Sequence, residues 1–125
     1  MFVILPDKTI CLTRGDVASL IVSANLQDGQ AYTFKPGDIL RFRIFKKRDC
    51  KSVVLQKDVS VTEDTTTVTI SLSSDDTKLG ELCSRPVEYW YEIEVNPDTE
   101  PQTIIGYDEA GEKIFRLYPE GSDAV

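Results

Sequence analysis

The sequence predicts an all-β fold, and three observations support this prediction. Segments in which apolar and polar residues alternate recur along the 125 residues, a period of two that is typical of strands with one buried face. Glycine, proline, aspartate and asparagine separate these segments, as turn-forming residues do. The chain has 41% apolar residues, enough for one hydrophobic core at this length. We therefore expect a single domain over residues 1–119 and a frayed tail over residues 120–125.

The first two strands follow a short apolar start. Residues 7–13 place Ile10 and Leu12 on one face, and residues 18–26 place apolar side chains at the even positions. Between these segments, Arg14-Gly15-Asp16 is a turn signal. We expect the two strands to form a first hairpin.

A tight turn and a central strand come next. Pro36 and Gly37 occupy the second and third positions of a turn, where proline presets a negative φ and glycine supplies the positive φ that a type II turn requires. The following strand, over residues 39–47, directs apolar side chains inward and basic side chains outward. Its inward residues are Leu40, Phe42 and Ile44, and its outward residues include Arg41 and Arg43.

The second half of the chain predicts further strands and one helical turn. The strands cover residues 53–61, 65–72, 87–95, 102–107 and 113–118, with a bend near residues 57–58. Between the second and third of these, serine and aspartate side chains can cap a helix that Gly80 would end. We expect this short helical turn near residues 74–79.

The number and spacing of these elements predict the architecture. Seven to nine short strands with a single helical turn favour an antiparallel β-sandwich of immunoglobulin-like type. A small β-barrel is the alternative. The sequence has no internal repeat, low-complexity tract or linker.

Charge and composition narrow the classes of function. The chain carries 21 acidic and 14 basic residues, a formal net charge of -7, unlike proteins that bind nucleic acid or an anionic membrane through a basic surface. It has no histidine, the commonest general base near neutral pH and the commonest transition-metal ligand. We expect protein or neutral ligands as partners, and no cofactor.

The sequence also predicts a protein that is neither secreted nor membrane-spanning. Its apolar start is too short for a signal peptide and lacks a basic region. No apolar run approaches the roughly 20 residues that span a bilayer.

The chain has three widely spaced cysteines, Cys11, Cys50 and Cys83, and none of them forms a CxxC pair. We therefore expect free thiols in a reducing compartment, with one disulfide as the alternative.

Two short motifs resemble functional sites but fit local structure better. Arg14-Gly15-Asp16 matches the integrin-binding tripeptide, yet a non-secreted chain would not meet an integrin. Asp75, Asp76 and Glu81 could form a carboxylate cluster, but they lack the ligand intervals and the glycine of a calcium loop. We interpret the first motif as a turn and the second as helix capping.

The outward face of the strand over residues 87–95 is the candidate ligand or interaction face. It presents Trp90 between carboxylates, an arrangement that can bind a sugar ring. The alternative is cross-strand pairing. If this strand lies beside residues 39–47, Glu92 and Glu94 would face Arg41 and Arg43, and each pair would contribute about 0.2–1 kcal/mol. Trp90 would then lie over the aliphatic parts of basic side chains. The candidate face, called the Trp90 face below, comprises Trp90, Glu88, Glu92, Arg41 and Arg43.

The sequence contains no motif of nucleophilic catalysis. Without histidine, the usual base that activates a serine or cysteine is missing, and there is neither a G-x-S-x-G elbow nor a glycine-rich phosphate loop. A carboxylate-only mechanism such as glycoside hydrolysis needs two acids at a set separation and is the enzymatic alternative. We expect a protein that is not an enzyme.

Several segments, in their order and spacing, together resemble a known family. They are ICLTRGD from Ile10, YTFKPGDILRF from Tyr32, DTKL from Asp76 and YWYEI from Tyr89. Over most of its length the chain resembles the N-terminal immunoglobulin-like domain of phage baseplate upper proteins and related small tail or prophage proteins of Gram-positive bacteria. In that family a Gly-Asp turn, a Pro-Gly-Asp turn, an Asp-Thr-x-x-Leu turn and a Tyr-x-Tyr-x-Ile strand follow one another.

The resemblance implies a structural role in a virion or prophage. It implies a chain in the bacterial cytoplasm before assembly and in the virion afterwards, with other phage structural proteins or a second copy as partners. It brings no catalytic residues. The sequence departs from the family in residues 80–86, which are longer than the expected glycine-aromatic step, and in ending at Val125 without a long C-terminal region.

These observations predict a non-enzymatic structural or assembly module of a phage tail or baseplate that acts through protein–protein contacts. The alternative is a carbohydrate-binding module in which Trp90 binds a glycan with Tyr89, Tyr91 or Tyr107. A carboxylate-dependent hydrolase is the third hypothesis. None of the three involves nucleic acid or a membrane.

Overall fold

The computed structural model describes residues 2–25, 29–46, 49–80, 85–106 and 111–119, with the backbone alone for residues 49–51. The described residues form nine β-strands and no helix, so the predicted all-β class is confirmed. Within these ranges no helix is long and apolar enough to cross a membrane. In chain order the strands are β1 (Phe2–Ile4), β2 (Ile10–Thr13), β3 (Ala18–Val22), β4 (Ile39–Lys46), β5 (Asp49–Ser60), β6 (Val68–Leu72), β7 (Val87–Val95), β8 (Gln102–Ile105) and β9 (Lys113–Tyr118).

The strands form two sheets of unequal size. In the described part of the chain, the larger sheet has the order β1-β2-β9-β7-β4-β5, with β8 also paired to β7, and the smaller sheet pairs β3 with β6. β2 and β9 are parallel, whereas the other pairs are antiparallel. The prediction of a purely antiparallel arrangement is therefore wrong. Alternation of apolar and polar residues indicates one buried face and carries no information on strand direction.

β7 lies at the centre of the larger sheet. β4 pairs along one side of it, and β9 followed by β8 pairs along the other. Its odd-numbered residues from Tyr89 to Val95 are buried, and the residues between them are partly exposed. The predicted strand over residues 87–95 and the assignment of its two faces are thus confirmed.

The inward faces of both sheets contribute to one hydrophobic core. Leu40, Phe42 and Ile44 of β4 are buried there as predicted. The core stabilises the fold because each fully buried large apolar side chain contributes roughly 1.5–3 kcal/mol. The smaller sheet contributes Ala18, Leu20, Val22, Val68, Ile70 and Leu72.

The predicted first hairpin is not formed. β2 lies in the larger sheet and β3 in the smaller one, so residues 14–17 carry the chain from one sheet to the other. Gly15 has a φ of 87°, which shows that the turn signal is correct. The chain changes sheet at this turn because β2 and β3 bury their apolar faces in the same core from different sheets.

The predicted helical turn near residues 74–79 is also wrong, because the segment forms turns without a helix. The Ser73 N–H donates to Asp76 Oδ2 at 2.8 Å and the Asp76 N–H donates to Ser73 Oγ at 3.2 Å, a reciprocal pair like that of a helix cap. A helix does not continue because Thr77 is hydrogen-bonded to the turn after β2 and Leu79 is buried in the core.

Other predicted boundaries differ by a few residues. β3 confirms the predicted strand over residues 18–26 as far as Val22, and Leu26 lies outside the described residues. β5 begins before residue 53 and continues through residues 57–58, where a bend was predicted. The predicted tail over residues 120–125 lies outside the described part of the chain.

Candidate interaction face on the larger sheet

The Trp90 face lies on the side of the larger sheet that points away from the core. Outward side chains of neighbouring strands stand in register there and form rows across the sheet. Arg43 is directly opposite Glu92, and Arg41 is directly opposite Glu94. The predicted juxtaposition of these two strands is confirmed.

Arg41 is hydrogen-bonded to two acidic residues outside the predicted face. Its Nε and Nη2 donate to Asp58 of β5 at 3.0 and 3.1 Å. Its Nη1 and Nη2 donate to Asp98, beyond the end of β7, at 3.3 and 3.1 Å. Hydrogen bonds to Asp58 and then to Asp98 raise the pKa of Arg41. The guanidinium thus forms two forked pairs, the geometry in which arginine binds carboxylates most specifically.

Arg43 is shared between an amide and two carboxylates. Its Nε donates to Gln56 Oε1 at 3.2 Å, and its Nη1 lies 3.9 Å from Glu92 Oε1 and 3.8 Å from Glu94 Oε1. Burial, followed by the neighbouring Glu94, raises the pKa of Glu92, whereas Arg43 acts to lower it. The two glutamates form a partly buried pair beside a single arginine.

Glu88 pairs with Arg116 of β9. The Nη2 and Nε atoms of Arg116 donate to Glu88 Oε2 at 2.7 and 3.0 Å, and the two residues are directly opposite each other in register. The hydrogen bond to Glu88 is the first cause of the raised pKa of Arg116. Because both side chains are partly exposed, such a pair contributes about 0–1 kcal/mol.

Trp90 lies in an apolar row between these ion pairs. It is directly opposite Phe45 of β4 and Ile114 of β9, and Phe45 is opposite Val53 of β5. Phe45 is buried and Trp90 is partly exposed. The Trp90 Nε1 atom is buried, and its N–H has no acceptor among the described residues. The direct cross-strand neighbours of Trp90 are therefore apolar. Of the arginines predicted to lie beneath it, Arg43 is in the next row and Arg41 is in the row beyond.

The turn before β4 is tied to the end of β7 through Asp38. The Oδ2 atom of Asp38 accepts the Lys35 N–H at 3.0 Å and the Tyr32 hydroxyl at 3.2 Å, and its Oδ1 accepts Asn96 Nδ2 at 3.1 Å. Asn96 Oδ1 accepts the Ile39 N–H at 3.0 Å. The Lys35 N–H, with help from the other donors, lowers the pKa of Asp38.

The Arg14-Gly15-Asp16 turn is bound to the turn that precedes Leu79. Thr77 Oγ1 accepts the Gly15 N–H at 3.0 Å and lies 2.8 Å from the Asp16 carbonyl oxygen, to which it can donate. Arg14 is 8% exposed, and its Nε donates to the Leu79 carbonyl at 3.4 Å. The arginine of the tripeptide is therefore buried, and its glycine and aspartate are held in a turn.

The tyrosines proposed to bind a glycan with Trp90 do not lie on the Trp90 face. Tyr89 and Tyr91 are buried in the core. The Tyr91 hydroxyl donates to the Lys8 carbonyl, and burial raises the pKa of this phenol. Tyr107 lies outside the described residues. The structure therefore places two of the three tyrosines on the side of the sheet opposite to Trp90.

The remaining candidate ligands are not brought together. Asp75 is exposed, Asp76 forms an ion pair with Lys57 at 2.9 Å, and Glu81 lies outside the described residues. Cys11 is a free buried thiol; the side chains of Cys50 and Cys83 are not described. Among the described residues, no group of three or more acidic or cysteine side chains is placed to hold a metal ion.

The Trp90 face thus offers an apolar row bordered by charges that are engaged with one another. Cross-strand pairs of this kind stabilise the sheet. Comparison of the chain with protein-family models, with curated proteins and with solved structures found no match.

Proposed function

We propose that this chain is a non-enzymatic structural or assembly module of a phage tail, baseplate or prophage element, acting through contacts with other structural proteins or with itself. The main support is that segments of the family resemblance contact one another at their motif residues. Thr77 of the DTKL segment is hydrogen-bonded to Asp16 of the RGD turn, 61 residues away. This hydrogen bond places two segments of the resemblance side by side in the fold.

A second hydrogen bond joins one segment of the resemblance to a residue just beyond another. Asp38, the last residue of the Pro-Gly-Asp turn, is hydrogen-bonded to Asn96 at the end of the strand that contains the YWYEI segment. Two separate hydrogen bonds therefore link the DTKL turn to the Gly-Asp turn and the Pro-Gly-Asp turn to the end of β7. In a protein that docks against neighbours, such connections hold the loops in one conformation before binding and reduce its entropic cost.

We infer that the finer architecture is an immunoglobulin-like sandwich. In that fold the strands G, F, C and C′ are neighbours in one sheet, and strands B and E pair in the other. Here β9-β7-β4-β5 fit the first series and β3-β6 fit the second. The shared core between the sheets is what a sandwich requires.

The pairing on the Trp90 face favours a structural use of this face over a sugar site. Arg41 is engaged by Asp58 and Asp98, and Glu88 is engaged by Arg116. Sugar recognition uses polar side chains that remain available to the hydroxyl groups of the ligand. Binding a glycan here would require some of these pairs to open.

Purified phage particles test the proposed function. The prophages of the bacterium that encodes the chain would be induced, and their particles would be banded in a density gradient and quantified by mass spectrometry. We expect the chain in the particle band at a constant ratio to a tail protein, with immunogold label on the tail. An abundant cytoplasmic protein controls for contamination. Recovery of the chain only in the soluble cell fraction would overturn the proposal.

A glycan array separates the proposal from the carbohydrate alternative. The wild type would be compared with Trp90→Ala and with Ile21→Ala, a control on the outer face of the smaller sheet. We expect no glycan signal above background for any of the three proteins. A sugar that binds the wild type and Ile21→Ala but not Trp90→Ala would show that the face is a glycan site.

A further inference from the structure

Glu92 and Glu94 form a pair of carboxylates that is short of positive charge. They are two residues apart on β7, so both side chains lie on the outward face of the sheet. Arg43 Nη1 lies 3.9 Å from Glu92 Oε1 and 3.8 Å from Glu94 Oε1, and its Nε donates to Gln56. One guanidinium therefore serves two carboxylates, and both contacts are longer than a hydrogen bond.

The second arginine of β4 does not make up this deficit. Arg41 is directly opposite Glu94 in register, but its Nε and Nη2 atoms donate to Asp58 and its Nη1 and Nη2 atoms donate to Asp98. That guanidinium already faces two carboxylates of its own. With both glutamates ionised, the group formed by Glu92, Glu94 and Arg43 carries one net negative charge.

β8, on the other side of β7, brings no charge to the pair. It has the sequence QTII, and Thr103 is directly opposite Glu94. Gly106 follows β8 and lies close to Glu92, since a Cβ added to this glycine would stand 3.7 Å from the Cβ of Glu92. The described neighbours of the pair on this side are therefore uncharged.

β9 brings one basic residue to this region, but on the other face of the sheet. Lys113 is directly opposite the core residue Tyr91 and is buried. Its Nζ donates to the Gly111 carbonyl at 3.4 Å. Glu112, the residue before β9, has the same sign of charge as the pair. On the outward face, Arg43 is therefore the cation that the pair shares.

Partial burial makes the two like charges unfavourable. The side chains of Glu92 and Glu94 are 29% and 17% exposed, so solvent screens their repulsion less than it would at an open surface. Burial, and after it the Glu94 carboxyl group, raises the pKa of Glu92, and Arg43 opposes this shift. Protonation of one group relieves such a pair, because its O–H can donate to the other carboxylate.

We propose that Glu92 and Glu94 act as a pH-sensitive pair that strengthens the pairing of β4 with β7 as the pH falls. On acidification the pair takes up one proton, and the carboxylic O–H of one glutamate donates to the carboxylate of the other. The remaining negative charge is then balanced by Arg43. This response is a property of the folded chain and does not depend on the proposed assembly role.

The effect on stability has a definite sign. A carboxyl group whose pKa is higher in the folded than in the unfolded state contributes stability that is fully present below the unfolded pKa. This contribution is lost as the pH rises through the folded pKa. The Glu92 pair therefore stabilises the fold in acid, whereas a carboxyl group with a lowered pKa, such as that of Asp38, acts in the opposite direction.

Carbon-13 NMR of the side-chain carboxyl groups, followed from about pH 3 to about pH 8 on the full chain, tests the titration. We expect Glu92 to titrate above its ordinary value of 4.5. In Glu94→Gln it should titrate at a lower pH than in the wild type, because the like charge is gone. The control Glu63→Gln, at an exposed position, should leave it unchanged. Titration of Glu92 at or below 4.5, or at the same pH in Glu94→Gln as in the wild type, overturns the proposal.

Urea unfolding at several pH values tests the effect on stability. In Glu92→Gln the amide keeps an N–H donor where the protonated acid has its O–H, so the variant imitates the protonated pair at every pH. We expect its urea midpoint to exceed that of the wild type at neutral pH and the gain to disappear below the pH at which Glu92 titrates. Glu63→Gln removes the same charge from a chain of net charge -7 and should gain less. Circular dichroism establishes that the variants fold.

Three results of the unfolding experiment would overturn the proposal. The first is a Glu92→Gln midpoint at neutral pH that is equal to or below that of the wild type. The second is a gain that Glu63→Gln matches, which would make it an effect of net charge alone. The third is a gain that persists in acid, where the wild-type pair is already protonated.

Discussion

Thr77 connects two turns through a single hydroxyl group. The side chain is fully buried, and its hydroxyl is within hydrogen-bonding distance of the Gly15 N–H and of the Asp16 and Ser74 carbonyls. A buried backbone group that loses its partner costs about 1–3 kcal/mol. The Thr77 hydroxyl is therefore expected to contribute measurably to the free energy of unfolding.

The substitution Thr77→Val keeps the shape of the side chain and removes this hydroxyl. We expect the free energy of unfolding to fall by about 1–3 kcal/mol, because the Gly15 N–H loses its acceptor. Urea unfolding of the variant measures the change. The control Thr69→Val, at an exposed position of β6, should stay within about 0.5 kcal/mol of the wild type. Equal midpoints for the two variants would contradict the role of Thr77.

Lys8 has a left-handed backbone conformation, which is unfavourable for residues with a side chain. Its φ is 73°, and the Lys8 N–H donates to the Leu5 carbonyl at 2.9 Å in the turn between β1 and β2. Three-residue hairpin loops commonly end in such a left-handed residue, which is usually glycine. We expect Lys8→Gly to raise the free energy of unfolding by about 0.5–1 kcal/mol.

Thermal or urea unfolding checks this gain. Lys35→Gly is the matched control, because Lys35 is also exposed but does not have a positive φ. That control should show no gain, since glycine only adds freedom to the unfolded chain there. A Lys8→Gly variant less stable than the wild type would indicate that the turn does not hold Lys8 in the left-handed region.

Asp38 predicts how the stability of the protein depends on pH. Its pKa is lowered from the ordinary value of 3.8 by the N–H of Lys35 and by the side chains of Asn96 and Tyr32. A carboxyl whose pKa is lower in the folded state stabilises the fold above its unfolded pKa, and this contribution is lost as the pH falls through the folded pKa. Acid should therefore weaken the fold partly through Asp38.

The variant Asp38→Asn removes this titration. We expect it to be less stable than the wild type at neutral pH and the difference to shrink as the pH is lowered below about 4. Urea midpoints measured across this range test the expectation, with Asp75→Asn at an exposed position as the control. A difference that grows on acidification would show that the sign assigned to Asp38 is wrong.

At the scale of residues, turn chemistry could be read from the sequence where one residue type dictates it. Pro36 and Gly37 form the predicted turn: Gly37 has a φ of 97°, and the Asp38 N–H donates to the Lys35 carbonyl at 3.0 Å. Lys8 could not be predicted in the same way. Lysine gives no signal for a left-handed conformation, and the pairing of β1 with β2 imposes it.

At the scale of elements, the alternation of apolar and polar residues was sufficient to predict which face of β4 and β7 is buried. It assigned the inward and outward residues of β4 and β7 correctly, and the register places Arg43 opposite Glu92. It did not identify Asp58 or Arg116, because the order of strands in a sheet is set by packing and is not encoded in the period of any one strand. Both the neighbour of β4 and its register would be needed to place Asp58 opposite Arg41.

The predicted helical turn near residues 74–79 shows that tertiary contacts can determine the conformation of a short segment. Residues 73–80 contain the capping residues of a helix, and the reciprocal hydrogen bonds between Ser73 and Asp76 are formed. A helix of one or two turns has little stability of its own, since nucleation is costly. The hydrogen bonds of Thr77 and the burial of Leu79 therefore determine the path of the chain.

Substitutions of Trp90 test the contribution of the apolar row formed by Phe45, Trp90 and Ile114. Its buried N–H has no acceptor among the described residues, so the polar atom of the indole costs free energy while the ring packs beside apolar neighbours. We expect Trp90→Phe to change the free energy of unfolding by less than about 1 kcal/mol and Trp90→Ala to reduce it by about 2–3 kcal/mol. Urea unfolding of both variants tests this, and a Trp90→Phe loss as large as that of Trp90→Ala would contradict the expectation.

At the scale of the whole molecule, the two sheets are unequal and their edges differ. The all-β class followed from alternation and turn residues, but the division of strands between sheets did not. A turn signal such as Arg14-Gly15-Asp16 predicts only that the chain changes direction. The next strand can then pair in the same sheet as a hairpin or lie in the other sheet. The parallel pairing of β2 with β9 joins segments about a hundred residues apart and depends on the complete topology.

The unequal sheets also explain why an assembly role is consistent with the exposed residues. Val3, Ile4 and Leu5 lie at the uncharged β1 edge, whereas the arginines of the Trp90 face are engaged within the larger sheet. Exposed apolar surface therefore lies at the β1 edge, and paired charges lie on the Trp90 face. Both features belong to the arrangement of strands and could not be assigned from single segments.

Deletion of the coding sequence tests the central claim, an assembly role in a phage tail or baseplate, most directly. Particles produced by the deletion strain would be examined by electron microscopy and titred, with wild-type and Thr69→Val chains supplied from a plasmid as complementation controls. We predict incomplete or missing tail structures without the chain and normal particles with either control. Complete, infectious particles at wild-type yield from the deletion strain would contradict the proposed function.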